Sequence, residues 1–306
     1  MMSGTETFQI KVPGSTSNLG PGFDSIGMAV GRYMTLTASR ADHWSFYYPD
    51  QPNFHPAVED NLIYRSAKQA AGGRALLPYS VCVRSNIPLA RGLGSSGAAI
   101  VAGIELANSS LNLGLTIEEK AWLACRYEGH PDNVTPSLYG GLVVSMQSLE
   151  GVHSVRLPAP AFDFVTVIPN FELKTSDARN VLPTSLSYRR AIEGSSVANV
   201  MICALLRGDG ALAGKMMEAD RYHQPYRAKL IPDFATIAQL AKENGAYGTF
   251  LSGAGPTVMS LAPKGAGERA GGVLQDAFPD YEVVVLRPES EGVRTDPLPA
   301  QGNNIR

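Results

Sequence analysis

Hydrophobic and polar positions alternate over the first 50 residues, and the alternation breaks often. FQIKVPG, YMTLTASR and HWSFYYPD each show a period of two and are parted by Gly, Pro and Asn, which predicts strands joined by turns. The period lengthens over 61–71, which reads as a helix, and returns to two over YSVCVRSNI at 79–87. A glycine- and serine-rich loop follows, then a nearly unbroken small apolar run over 98–111 that predicts a buried helix. Thr116 with Glu119 three residues later is a capping box, so a helix should start there, run to about Tyr127 and stop at Gly129. HPDNVTP reads as a short turn, and GLVVSMQS as an apolar strand.

Residues 149–161 have two prolines and little periodicity, and read as a hairpin or boundary. FDFVTVIP is a strand, and helices are expected over 185–206, 211–222 and 231–244. GTFLS and TVMSLAP flank a second glycine loop as two strands; a helix over 266–277 and the strand YEVVVLRP complete the fold, with the last ten residues frayed. Strands and helices mix in both halves without strict βαβ alternation. The class expected is α+β with two layered domains, not a doubly wound parallel sheet.

The sharpest chemical signal is IPLARGLGSSGAAIVAG, a strand end, a glycine turn and a helix start in succession. The first amides of a helix lack internal partners and carry the positive end of its dipole. Glycines let a polyanion approach the backbone and permit the positive φ angles of an amide nest. The stretch lacks the lysine of a P-loop and is not GxGxxG. Taken alone, RGLGSS would equally suit a tight turn with a serine cap.

Composition narrows the field. Forty-four per cent apolar residues in 306 is ample for packed cores, and the length suits two domains or one large one. A net charge of −2 offers no basic excess for nucleic acid. No apolar stretch reaches the roughly 20 residues of a membrane helix, and the N-terminus has no signal-peptide pattern. Three widely spaced cysteines without a CxxC pair argue against a disulfide framework and suit a reducing cytoplasm. No HExxH or Cys/His spacing suggests zinc.

The loop PLARGLGSSGA resembles the phosphate-binding loop of the GHMP kinases, which include galactokinase, homoserine kinase, mevalonate kinase and phosphomevalonate kinase. KVPGSTSNLGPGFDSIG at 11–27 is similar to that family's N-terminal motif, and LSGAGPTV at 251–258 to its C-terminal glycine motif. NLGPGFD, EGHPDNV, TSDAR and HQPYRA resemble its homoserine kinase branch. The resemblance implies an N-terminal ATP-binding α/β domain with a left-handed βαβ crossing over 1–160, and a ferredoxin-like α+β domain over 161–306. It implies transfer of the ATP γ-phosphoryl to the side-chain hydroxyl of L-homoserine, a step of threonine biosynthesis, with Mg²⁺ required. A homodimer is a habit of the family.

By the same resemblance, ATP is held by the loop from Pro88 through Leu89, Ala90, Arg91, Gly92, Leu93, Gly94, Ser95, Ser96 and Gly97 to Ala98. Asn61 lies near the adenine, unless it only caps its helix. Ser96 and Glu128 are the Mg²⁺ ligands. Arg179 and Arg227 match carboxylate clamps, with Thr175 and Gly253 in the same shell. Asn18, Asp24, Asp132 and Asn133 match positions that hold the amino and hydroxyl groups, although Asp132 could instead cap the next helix. Asp24 is the candidate for orienting the hydroxyl, and EGHPDNV has no lysine to complete the aspartate–lysine pair attributed to mevalonate kinases. Two other readings keep the fold: a different small alcohol such as mevalonate as acceptor, or a nucleotide-binding regulator without turnover.

Overall fold

The computed structural model describes residues 7–298. The first sheet begins with two long antiparallel strands, β1 (Thr7–Ser17) and β2 (Ile26–Arg40). Their register shifts between Pro13 and Gly14, where proline cannot supply a ladder N–H. The far end of β2 pairs with β4 (Tyr79–Ser85), which carries the short parallel strand β3 (Ser45–Tyr47). The near end of β2 pairs with β5 (Leu142–Gln147), and β5 with β6 (Val152–Leu157). The proline-interrupted 149–161 stretch is therefore partly a strand, with exposed and half-buried but no fully buried side chains, which hides its period.

Four helices accompany this sheet: α1 (Leu62–Ala70), α2 (Ser95–Leu111), α3 (Ile117–Glu128) and α4 (Val134–Tyr139). α2 packs on β1 and touches the other three. Residues 97–107 are all buried, hence the unbroken apolar run where a surface helix would show a stripe. The capping box at Thr116 is formed in both directions, and Gly129 ends α3 in the left-handed conformation. α2 starts three residues earlier than its apolar pattern indicates, because Ser95 and Ser96 form its first turn.

The second sheet holds β7 (Phe162–Ile168), β8 (Gly248–Leu251), β9 (Val258–Pro263) and β10 (Glu282–Leu286). Its order is β10-β7-β9-β8, antiparallel throughout, which is the ferredoxin-like arrangement. Helices α5 (Thr175–Asn180), α6 (Tyr188–Arg207), α7 (Gly210–Glu218), α8 (Gln224–Arg227) and α9 (Phe234–Glu243) lie between β7 and β8, and α10 (Gly267–Ala277) precedes β10. Every residue of β7 is buried, since both faces of this sheet are covered. Phe164 and Ile168 join a core that continues into the first half of the chain, whereas Val165 and Val167 join a smaller one with Ile237 and Leu274.

After β10 the chain returns to the first half. Glu289 donates its N–H to Ala29 and accepts from Gly141 through its carbonyl, and β11 (Arg294–Pro297) pairs with β1. The chain thus changes sheet between β6 and β7 and returns to the first sheet through β11. Among the described residues, no helix is long and apolar enough to cross a membrane.

The approach of α1 to α2 depends on Gly103, where an added Cβ would lie 2.0 Å from Ser66 Oγ and 2.2 Å from the Ile63 carbonyl. Gly103→Val should cost about 2 kcal/mol or more through overpacking against backbone. Gly272→Ala, on an exposed part of α10 with nothing within 4 Å, should gain about 0.5–1 kcal/mol. Urea unfolding midpoints would separate the two.

Candidate active site

α2 begins without a side-chain cap. Its N-cap is Gly94, at φ +74°, and no serine takes that role. A side chain at Gly94 would meet Ser15 Oγ at 2.2 Å, so strand β1 runs directly behind the turn. The Ser15 N–H donates to the Leu93 carbonyl at 3.2 Å, and the Ser252 hydroxyl donates to the Gly92 carbonyl. The turn is thus fixed from behind while the first amides of α2 face a cleft. A cradle of this kind suits a phosphate chain.

The cleft is lined from both halves of the chain: by Gly92, Gly94, Ser95, Ser96 and Gly97 on the loop side, and by Leu173, Thr175, Arg179 and Arg227 opposite. At the loop, Ser96 Oγ donates to Glu128 Oε2 at 3.1 Å. Glu128 is the last residue of α3, which the Gly129 cap directs at this point. Burial raises its pKa against the opposing pull of His130 and the Ser96 hydrogen bond, leaving it above the usual value.

Asn18, Asp24, Asp132, Asn133 and Gly253 also line this cleft. Asn18 and Asp24 sit in the left-handed region, at φ 71° and 53°. Asn18 Nδ2 donates to the Gly253 carbonyl at 3.1 Å, and its Oδ1 accepts from the Asp24 N–H at 3.0 Å. Asn133 is at the N-cap position of α4 but does not cap it; its Oδ1 accepts from Ser15 Oγ at 3.2 Å. Asp132 does not cap that helix either. It is buried and meets His130 Nδ1 at 2.6 Å.

Arg179 grips Asp24 with two bonds, of 3.1 and 2.9 Å. Arg227 is buried at 2% exposure, donating from Nε to the Ala178 carbonyl and from Nη1 to the Gly253 carbonyl. Burial and the neighbouring Arg179 charge bring its pKa down to about 10, so it remains a cation at neutral pH. Both guanidiniums lie over the ring of Phe23, at 5.7 and 5.0 Å, and His223 stacks on that ring. Neither arginine therefore has the open fork expected of a clamp.

The structure does not bring every expected residue to the cleft. Leu93 and Ala98 point into the core and can offer only backbone. Pro88 and Arg91 line a separate surface hollow, where Arg91 donates to the Pro169 carbonyl. Asn61 caps α1 through Ile63 N–H at 3.0 Å and donates to Tyr48 Oη at 2.7 Å. It also lines a mostly apolar pocket with Met34, Phe54 and Leu89 that adjoins Ser95 and Ser96.

Six lining residues were outside the expected set of site residues: Ser17, His130, Leu173, Lys174, Ala254 and Gly255. Ser17 Oγ is buried with no partner among the described residues. A serine beside Asn18 in the motif was a visible signal, whereas nothing in the sequence distinguishes Lys174 from a surface lysine. For His130, burial lowers the pKa but the Asp132 hydrogen bond and the Asp132, Asp24 and Glu128 charges raise it more, leaving it above 6.5. Between 6.5 and that higher value the native state binds the extra proton, so this contribution to stability is full below pH 6.5 and fades as pH rises through the native pKa. An NMR titration of His130 should show a midpoint above 6.5, and Asp132→Asn should bring it down.

The profile for the GHMP kinases N terminal domain matches residues 61–141, and that for the GHMP kinases C terminal domain matches 201–280. A homoserine kinase of Halalkalibacterium halodurans is 47% identical over 294 residues, covering 95% of each chain. One from Bacillus velezensis is 49% identical over 296 residues, covering 95% of this chain and 96% of that one. A solved structure of a homoserine kinase from Cytophaga hutchinsonii aligns with a TM-score of 0.84 at 26% identity, over 97% of this chain and 99% of that one. A mevalonate kinase structure aligns with a TM-score of 0.71 at 16% identity, over 92% and 99%, which is a likeness of fold. On cleft, sheet order and full-length identity together, the chain belongs to the homoserine kinases of the GHMP kinase family.

Proposed function

We propose that the protein transfers the γ-phosphoryl group of ATP to the side-chain hydroxyl of L-homoserine, giving O-phospho-L-homoserine. The observation that carries this reading is a single cleft holding an uncapped helix N-terminus, an oxygen pair at that terminus and a set of opposite charges across from it. The open amides of Ser95, Ser96 and Gly97 take the phosphates, and the adjoining apolar pocket bounded by Asn61 and Tyr48 takes the adenine.

Ser96 Oγ and Glu128 Oε2, 3.1 Å apart at the phosphate end, fit Mg²⁺, which takes one or two hard protein oxygens and keeps phosphate and water for the rest. Bound there, Mg²⁺ would neutralise charge on the phosphate oxygens. The protein's own work is positioning. Asn133 packs against Gly97, where an added Cβ would lie 3.2 Å from its Cβ, so it sits beside the cradle and suits the acceptor hydroxyl. Arg179 and Arg227 face the carboxylate end of the acceptor, and Thr175, the first residue of α5, borders them. Both Asp24 oxygens are bonded to Arg179, which suits it to the ammonium end better than to the hydroxyl. A loose transition state for phosphoryl transfer needs no strong base at the hydroxyl.

Purified protein with ATP and Mg²⁺ should release ADP with homoserine and not with mevalonate or galactose; no homoserine-dependent release would refute the assignment. Ser96→Ala and Glu128→Gln should each raise the Mg²⁺ concentration for half-maximal rate roughly 10–100-fold while the thermal melt of the apoprotein changes little. An unchanged Mg²⁺ requirement would remove the pair from the metal site.

A further inference from the structure

Four side chains able to carry positive charge line the cleft: His130, Lys174, Arg179 and Arg227. Three of them are committed. Arg179 is forked on Asp24, Arg227 is tied by Nε and Nη1 to backbone carbonyls, and His130 meets Asp132. Lys174 is the exception: it is exposed, and among the described residues its ammonium has no ion pair and no hydrogen bond. Its backbone is nevertheless fixed. Lys174 is extended, at φ −68° and ψ 137°, just before α5, and its carbonyl accepts from the Asp177 and Ala178 N–H groups at 3.0 and 3.1 Å. The residue before it reaches the phosphate loop, where Leu173 N–H donates to the Ala90 carbonyl at 3.5 Å. Leu173 Cδ2 would also lie 3.6 Å from a Cβ added at Gly255. Ala90 and Gly255 line the same cleft as Gly92 and Gly94, so Lys174 stands across from the first turn of α2 and beside the start of its loop.

We propose that Lys174 is a further catalytic residue for the phosphoryl transfer: its ammonium binds the oxygens of the γ-phosphoryl group on the side away from Ser96 and Glu128. The inference rests on the ATP-dependent transfer proposed above. A triphosphate carries more negative charge than one divalent ion neutralises. The cradle from Gly92 to Gly97 offers amides and hydroxyls but holds no lysine or arginine. Arg91, next to it, turns to the Pro169 carbonyl in a separate hollow. A P-loop meets the same need with a lysine inside its own motif; here the opposite half of the chain supplies one. In the transfer the acceptor oxygen bonds to the γ-phosphorus as the bond from that phosphorus to the ADP oxygen breaks. The electron pair leaves on ADP, and the hydroxyl proton is lost to water. Charge spreads over the three equatorial oxygens of the group in flight, and a cation on their open side stabilises it. A compact ammonium on a flexible stem suits that place, because it can follow the group from donor to acceptor. Lys174 acts by charge alone.

The test is calorimetric binding of AMPPNP, which keeps the γ-phosphoryl and does not transfer it, against ADP, which lacks it. Both are titrated with Mg²⁺ present into the wild type, Lys174→Met and Lys174→Arg. The side chain is exposed and unpaired among the described residues, so the thermal melts of the variants should match the wild type. Lys174→Met should weaken AMPPNP roughly fivefold or more and leave ADP within about twofold, whereas Lys174→Arg, which keeps the charge, should hold both near wild type. In turnover, Lys174→Met should lower kcat roughly tenfold or more with the homoserine KM within about twofold, as a contact strongest in the transition state requires. A merely structural role would weaken both nucleotides or homoserine, and the retained charge of Lys174→Arg would not repair it. Equal loss of ADP and AMPPNP, no loss of either, or a kcat near wild type for Lys174→Met overturns the assignment. A wild type that binds AMPPNP but releases no ADP with homoserine refutes the kinase reading, and the calorimetry still decides whether Lys174 holds the γ-phosphoryl.

Discussion

The turn before α2 has to stay open at one end and be held firmly at the other. A helix with glycine in place of a serine or aspartate cap gives up roughly a few tenths of a kcal/mol. Gly94 takes the cap position here, and the chain compensates by securing the turn's carbonyls: Leu93 to the Ser15 amide, Gly92 to the Ser252 hydroxyl. Ser252 also lies 2.8 Å from Thr16 Oγ1, so strand β1, the loop and the second glycine turn form one hydrogen-bonded unit. A buried carbonyl left without its donor would cost about 1–3 kcal/mol. Any movement of one half of the chain relative to the other is therefore felt at the loop, which is where the two sheets' contributions to the cleft meet.

Much of this was legible in the sequence, for reasons that particular residues make clear. The run after Ser96 showed a helix buried all round, because burial on every side removes the polar stripe. Thr116 and Glu119 marked the start of α3 through a local motif that needs no tertiary help. Four short elements escaped: α4, α5, α8 and β11 are four to six residues long, too short for any period to show. β11 has four exposed residues and is a strand only because β1 offers it an edge. The motifs located the cleft, but they gave no information about which atoms were already engaged. Arg227 matched a clamp by type, yet two of its three nitrogens serve backbone carbonyls. Such pairings depend on contacts between distant residues, and residue type alone carries no trace of them.

The crowding of charge at Phe23 shows why the two arginines differ. Two guanidiniums over one ring repel, and burial adds to the cost for Arg227. The ring face returns part of this, about 0.5–1 kcal/mol per cation at partly exposed sites. His223 contributes by staying neutral: it is fully buried, burial lowers its pKa, and its Nε2 lies 2.9 Å from the Gly20 carbonyl. That contact puts the proton on Nε2 and leaves the Nδ1 lone pair facing Arg227 Nη1 at 3.5 Å. A charged imidazole in the same place would add a third cation to the stack.

Arg227 is consequently fixed, by two carbonyls, a neutral imidazole and a ring, in a place where water cannot relax around it. Arg179 is different in kind. Its partner is a carboxylate rather than backbone, it is partly exposed, and it sits on a six-residue helix with few constraints of its own. The buried arginine supplies a permanent positive potential at the cleft wall. The exposed one is paired through its planar fork, which gives directional bonds without a permanently buried and unpaired charge. A second buried guanidinium would deepen the repulsion at Phe23, a cost that the pairing with Asp24 spares Arg179.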